Sequence, residues 1–116
     1  HAVMLAARHD SAVLLVQRPP SGIWGGLWCL PEFGDRDAAE QFAMAQLASA
    51  KPALAALPDI EHSFTHFDLV ITPLEARCQG VRRVNESGEL WYDLAQPARV
   101  GLPAPIKSLL GRLSER

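Results

Sequence analysis

The order of the apolar segments along the chain is the feature that most constrains its fold. Two runs rich in Val, Leu and Ala, Ala2–Arg8 and Ala12–Gln17, are separated by the turn-forming sequence His-Asp-Ser at residues 9–11. This arrangement predicts a β-hairpin at the start of the chain. By similar criteria, we expect further strands at Leu27–Phe33, Ile60–Phe64, Leu69–Cys78 and Glu89–Leu94.

Two other segments have helical periodicity. We expect a first helix over Asp37–Ala50, with Asp37 as its N-cap and Glu40 as the capping-box partner. A second helix is expected after the Pro-rich sequence at residues 101–105. The apolar faces expected to pack on the core comprise Ala39, Phe42, Ala43, Leu47 and Ala50 in the first helix, and Ile106, Leu109, Leu110 and Leu113 in the second. This alternation of strands and helices predicts an α/β or α+β fold, in which helices flank a mixed β-sheet.

The chain has 116 residues, which corresponds to one domain over residues 1–116. Because it opens with His1, we expect this domain to be a fragment of a longer polypeptide. The formal net charge of −2 argues against a strong free-standing nucleic-acid binder, since tight non-specific binding depends on a basic surface. Arg82 and Arg83 form the one adjacent basic pair, which either contacts phosphate or belongs to a solvated loop.

The two cysteines, Cys29 and Cys78, lie far apart in apolar stretches and form no CxxC or zinc-type pattern. We therefore expect buried, reduced thiols in a cytosolic protein and no metal site. No apolar run approaches the length of a membrane-spanning helix, and no basic-then-apolar pattern appears, so we expect neither a membrane span nor a leader in these residues.

The segment over residues 18–31 combines prolines and glycines with two tryptophans. Its first five residues, Arg-Pro-Pro-Ser-Gly, cannot continue a central strand and predict an ordered loop. Trp24 and Trp28 flank a glycine pair, and glycine permits close backbone approach. We interpret Trp28 as a residue that helps the chain to fold, and Trp24 as a half-exposed residue available for contacts.

The sequence Leu-Trp-Cys-Leu-Pro at residues 27–31 follows an apolar hairpin and resembles the segment before the catalytic helix of Nudix hydrolases. In that family, the pattern G-x5-E-x7-R-E-U-x-E-E-x-G-U supplies glutamates that hold magnesium against a diphosphate. With the pattern started at Gly34, Glu40 takes the place of the first glutamate. The remaining metal-site positions fall on Ala48, Ser49, Pro52 and Ala53, and a register one residue earlier also loses them. The chain thus resembles the Nudix fold without the Nudix chemistry.

Four segments in order resemble the C-terminal domain of MutY-type adenine DNA glycosylases. They are Gln17–Trp28, His62–Phe67, Leu90–Tyr92 and Val100–Pro105. The resemblance implies that the full-length parent removes adenine mispaired with 8-oxoguanine in double-stranded DNA. It further implies that Phe64, Thr65 and His66 form the loop that reads the oxidised base, with threonine in place of the family's serine. Ser63 and His62 are flanking candidates, and Trp24, Arg18, Arg82 and Arg83 are candidates for contact with DNA or with the catalytic domain.

The same resemblance implies where the chemistry of the parent resides. In the family, an N-terminal domain with a catalytic carboxylate and a 4Fe-4S cluster cleaves the glycosidic bond. This chain has two cysteines without cluster spacing, so we expect neither a cofactor nor catalytic groups in it. We expect a monomeric protein in the bacterial cytoplasm, associated with the nucleoid.

Two other functions fit parts of the sequence. A diverged Nudix hydrolase of nucleoside diphosphate derivatives would share the fold, although the missing glutamates argue against it. A protein-interaction module would use Trp24 and the polar loop Gln79–Gly88 to contact a repair or replication partner.

Overall fold

The computed structural model describes residues 1–46, 54–77 and 88–115, and eight strands and two helices lie within these ranges. In chain order they are β1 (Ala2–His9), β2 (Ala12–Gln17), β3 (Trp28–Cys29), β4 (Glu32–Phe33), α1 (Arg36–Gln46), β5 (Leu54–Ala56), β6 (Ile60–Ser63), β7 (Asp68–Arg77), β8 (Glu89–Asp93) and α2 (Ala104–Ser114). The predicted first hairpin is confirmed: β1 and β2 pair antiparallel, with His9 opposite Ala12. Neither helix in these ranges has the length and apolar character needed to cross a bilayer.

β1 is the central strand of a mixed sheet. It pairs in parallel with β7 over seven consecutive residue pairs, from Ala2 with Ile71 to Arg8 with Arg77. On its other side it pairs antiparallel with β2 and β4. β2 also pairs with β8, whereas β5 and β6 both pair antiparallel with β7. The β6–β7 hairpin therefore extends from the edge of the sheet, next to its most buried strands.

The helices cover opposite faces of the sheet, because successive side chains of a strand point to opposite faces. Met4 and Ala6 of β1 pack in one cluster with the buried stripe of α2. Leu5 and Ala7 pack in a second cluster with Ala39 and Ala43 of α1. The predicted stripe of α2 is confirmed, since Ile106, Leu109, Leu110 and Leu113 are all buried. The prediction of a mixed sheet flanked by helices, in the α+β class, is likewise confirmed.

The single strand predicted over Leu27–Phe33 is wrong, because this segment forms two short strands. The arms of the first hairpin diverge, so that β3 pairs with the end of β2 while β4 pairs with the beginning of β1. Pro31 lies between the two short strands, and its carbonyl accepts a hydrogen bond from the Leu5 N–H at 3.0 Å. Proline has no N–H to donate to a ladder, which suits the change of partner strand at this point.

The cap predicted for the first helix is also wrong. Asp35, not Asp37, caps α1, because its Oδ1 accepts a hydrogen bond from the Ala38 N–H at 2.8 Å. Glu40 therefore lies too far along the helix to be the capping-box partner. β5 was not predicted, since Leu-Ala-Ala carries little strand propensity. The predicted end of the first helix at residues 47–50, Cys78 and residues 79–87 of the polar loop lie outside the described residues.

Candidate functional site

The tip of the β6–β7 hairpin is formed by four residues, 64–67. The ladder ends at the pair Ser63 and Asp68, and the Phe64 N–H donates a hydrogen bond to the Phe67 carbonyl at 2.8 Å. Thr65 and His66 are exposed at the apex, and within the described residues neither side chain makes a hydrogen bond. The hairpin thus presents a free hydroxyl and a free imidazole on a projecting turn.

Four aromatic rings pack together at the base of this tip. The Phe64 ring centroid lies 4.8 Å from that of Phe67 in a stacked arrangement and 4.8 Å from that of His62 edge-on. The Trp24 ring lies 5.6 Å from the Phe64 ring and 5.7 Å from the His62 ring. Phe64 is half-buried in this aromatic cluster, so it anchors the tip. Offset and edge-on ring pairs at these separations are stabilising.

Phe67 is a site residue that sequence reasoning did not select. Its side chain is 46% exposed although it is large and apolar, and it lies directly beside Thr65 and His66. The signal in the sequence is a large apolar residue within the predicted turn between the strands Ile60–Phe64 and Leu69–Cys78. The structure makes it the outer ring of the aromatic cluster.

Backbone contacts hold the loop that carries Trp24. The Arg18 N–H donates to the Leu27 carbonyl at 2.8 Å, and the Leu27 N–H donates to the Trp24 carbonyl at 3.0 Å. Trp24 has a φ of 54°, in the left-handed region that side-chain-bearing residues rarely adopt. A Cβ atom on Gly25 would collide with the backbone carbonyl of Pro20, so the close approach there requires glycine.

The arginine candidates are placed differently. Arg18 Nη1 forms an ion pair with Glu32 Oε1 at 2.7 Å, at a partly exposed position, while its buried Nε has no hydrogen-bond partner among the described residues. Arg82 and Arg83 lie outside the described residues.

Ser63 is exposed at the end of β6, next to the tip. The structure therefore brings Ser63, Phe64, Thr65, His66 and Trp24 into one region.

The donor set of the chain does not fit a magnesium site of the Nudix type. Glu40 lies half-buried on α1, and the other box positions carry Ala, Ser and Pro, which supply no carboxylate. Those positions, 48–49 and 52–53, lie outside the described residues. Over residues 1–46, 54–77 and 88–115, no three His, Cys, Asp or Glu side chains cluster in a way that could hold a metal ion.

Cys29 is a poor candidate for a nucleophile. Burial raises the pKa of its thiol to about 11, although the positive charge of Arg18 acts in the opposite direction. The thiol lies 3.8 Å from the sulfur of Met4 inside the core. Since the thiolate is the reactive form, a protonated and buried thiol is a packing residue. This agrees with the prediction of a buried, reduced Cys29.

Comparison with known proteins gives the family. A sequence model described as NUDIX domain matches residues 2–112. The chain belongs to the NUDIX domain family. Among curated proteins, it is similar to the adenine DNA glycosylase of Buchnera aphidicola subsp. Acyrthosiphon pisum, with 26% identity over 108 residues. That match covers 89% of this chain and 30% of the relative, so the chain spans less than a third of the length of that glycosylase.

Two solved structures show how this NUDIX fold is shared. The C-terminal domain of mouse MUTYH, solved in complex with human PCNA, superposes with a TM-score of 0.76 at 21% identity, covering 98% of this chain and 86% of that one. The MutT NUDIX hydrolase of Burkholderia pseudomallei superposes with a TM-score of 0.71 at 18% identity, covering 97% of this chain and 95% of that one. The predicted Nudix-like fold is thus confirmed. Because the fold is common to both, function has to be argued from the site.

Proposed function

We propose that this chain is the lesion-reading domain of an adenine DNA glycosylase, and that the exposed tip of the β6–β7 hairpin contacts 8-oxoguanine opposite the adenine to be excised. The observation that carries the proposal is the free Thr65 hydroxyl at the apex of a projecting turn, in a chain related to an adenine DNA glycosylase. A projecting turn suits contact with the edge of a base in DNA, whereas a small-molecule substrate is usually enclosed in a pocket.

The chemistry of the lesion explains why a hydroxyl is useful at the apex. Unmodified guanine presents N7 as an acceptor, and its C8 carries only hydrogen. In 8-oxoguanine, N7 carries a proton and C8 carries a carbonyl oxygen, so the reader needs an acceptor facing N7 and a donor facing O8. A hydroxyl group with neighbouring backbone amides supplies both. Thr65 keeps the hydroxyl of the family's serine and adds a methyl group, which restricts its rotamers.

The remaining steps of the reaction are assigned to other parts of the glycosylase. We propose that a separate catalytic domain of the same polypeptide excises the adenine and carries the 4Fe-4S cluster, and that Ser63, His66 and Trp24 lie near the DNA or that domain. The net charge of −2 supports weak DNA binding by this domain alone, because phosphate neutralisation dominates non-specific affinity. We propose further that the protein acts in the bacterial cytoplasm, on nucleoid DNA.

The test is Thr65→Ala in the full-length glycosylase, measured as kcat/KM for adenine opposite 8-oxoguanine and for adenine opposite guanine. We expect the ratio of the two to fall by about 5- to 150-fold, corresponding to about 1–3 kcal/mol for a well-placed polar contact. Thr65→Ser should preserve the ratio, since it keeps the hydroxyl.

Ser114→Ala is a matched control for this test. It removes an exposed hydroxyl at the C-terminal end of α2, where it donates to the Gly111 carbonyl, and should leave both kcat/KM values unchanged. A ratio that stays at the wild-type value in Thr65→Ala would contradict the role of the tip.

A further inference from the structure

The geometry points to Trp24 as a positioning residue: we propose that it sets the orientation of the β6–β7 tip, and with it the placement of the Thr65 hydroxyl. This inference rests on the proposed function, since it names a second residue on which lesion reading depends. Trp24 lies 40 positions before Phe64 in the sequence, yet its ring packs against the rings of both Phe64 and His62. Both of these rings belong to the hairpin, just before the apex formed by Thr65 and His66.

The hairpin has few other contacts that would fix its tip. β6 pairs with β7 alone among the strands of the described residues, and its residues alternate between half-buried and exposed. A two-stranded hairpin is marginally stable by itself, so its outer end needs support from side chains. Phe64 is covalently adjacent to Thr65, and packing of its ring therefore restricts the backbone that carries the hydroxyl.

The loop that supplies the support is itself constrained. The left-handed conformation of Trp24 persists only where the surroundings impose it. Those surroundings include the hydrogen bond from the Leu27 N–H to the Trp24 carbonyl and the close approach of Gly25 to Pro20. The Gly26 carbonyl also accepts a hydrogen bond from the Gln17 side chain at 3.1 Å. Because the loop between β2 and β3 is constrained, the Trp24 ring has a fixed position, and its packing restricts the position of the hairpin rings.

Trp28, the first residue of β3, provides a matched control four positions along the chain from Trp24. Both tryptophans are half-buried and pack against the same core cluster, but among the described residues only Trp24 makes a ring contact with the hairpin. General destabilisation by loss of a tryptophan should be similar in the two variants. A loss of lesion selectivity confined to Trp24 separates positioning from folding.

The experiment compares Trp24→Leu, Trp24→Phe and Trp28→Leu in the full-length glycosylase. The readout is the ratio of kcat/KM for adenine opposite 8-oxoguanine to that opposite guanine. We expect Trp24→Leu to lower this ratio by about three- to tenfold, the range set by loss of an aromatic pair. Trp24→Phe should restore most of it, and Trp28→Leu should change the two rate constants in parallel and leave their ratio unchanged.

The double variant Trp24→Leu/Thr65→Ala decides whether the two residues act together. If Trp24 acts through Thr65, its substitution should cost no further selectivity once the hydroxyl is gone. An equal loss in both backgrounds would overturn the proposal. If Trp24→Leu fails to fold, Phe64→Leu removes the contact from the hairpin side, together with the Phe67 and His62 ring contacts. It should lower the ratio at least as much and show the same non-additivity with Thr65→Ala.

The outcomes distinguish this inference from the proposed function. An unchanged ratio in Trp24→Leu, with a lowered ratio in Thr65→Ala, overturns the positioning role and leaves the reading role of the tip intact. An unchanged ratio in Thr65→Ala contradicts the reading role itself.

Discussion

The two ends of β7 lie in different surroundings. Near its C-terminal end, Leu74, Glu75 and Ala76 are buried between β1 and β5, and Glu75 forms an ion pair with Arg8 at 3.1 Å. At its N-terminal end, Asp68 is exposed and leads directly into the tip. The C-terminal end pairs with a strand on each side, whereas the N-terminal end pairs only with β6 and continues into a turn supported by aromatic rings. The buried ion pair and the proposed recognition tip therefore lie at opposite ends of a single strand.

The largest effect is expected at the buried end. Glu75→Gln leaves the Arg8 guanidinium buried without its counter-charge and should lower the free energy of unfolding by about 3–5 kcal/mol. Asp68→Asn, at the exposed end of the same strand, should change it by less than about 0.5 kcal/mol. Urea unfolding measures the free energy of unfolding of each variant. Similar losses in the two variants would show that the two ends of β7 contribute equally to stability.

A smaller effect is expected in the loop that supports the tip. Gly25→Ala introduces a Cβ against the Pro20 carbonyl and should destabilise the fold by about 1–3 kcal/mol, the range for forced overpacking. Gly34→Ala is the control, because a Cβ there would meet no atom within 4 Å. Equal thermal unfolding midpoints for the two variants would show that the loop accommodates the added methyl group. That result would contradict the proposal that a constrained loop supports the tip.

The smallest effect is expected away from β7, at Asp93, the last residue of β8. Its pKa is lowered from 3.8 because its carboxylate accepts hydrogen bonds from the Ala95 N–H at 2.8 Å and from the Ser11 hydroxyl at 2.9 Å. Since the folded-state pKa is below the unfolded-state value, the stabilisation is complete above the unfolded-state pKa and is lost as the pH falls through the folded-state pKa.

Ser11→Ala should therefore raise the pKa of Asp93 towards 3.8, as followed by an NMR titration of the carboxyl group. Ser114→Ala, which removes a hydroxyl bonded within α2 to the Gly111 carbonyl, should leave the titration unchanged. A pKa of Asp93 that is the same in wild type and Ser11→Ala would show that the hydroxyl contributes nothing there.

Sequence patterns predicted those parts of the fold whose cause is local. The first hairpin and the apolar stripe of α2 follow from turn residues and helical spacing within a few positions. The division of residues 27–33 into β3 and β4 follows instead from the divergence of two other strands, which no local pattern encodes. β5 forms because β7 offers an edge to pair with, although its own residues favour other conformations.

In the candidate site, too, some features were predictable from the local sequence and others depend on the tertiary structure. Thr65 and His66 were selected because their segment resembles a known family, and a tight turn between two strands was expected from the sequence. The contact between Trp24 and Phe64 joins residues 40 positions apart, so it depends on the way in which the sheet places the two loops together. The ion pair between Arg18 and Glu32 likewise depends on tertiary placement, because the two residues lie on different segments of the chain.

The central claim is that this domain reads the lesion while another domain performs catalysis. The most direct measurement compares the full-length glycosylase with a variant from which this domain has been deleted, using kcat/KM for adenine opposite 8-oxoguanine and opposite guanine. We expect the deletion variant still to excise adenine but to lose most of its preference for the lesion. An undiminished preference in the deletion variant would show that lesion reading lies elsewhere in the glycosylase.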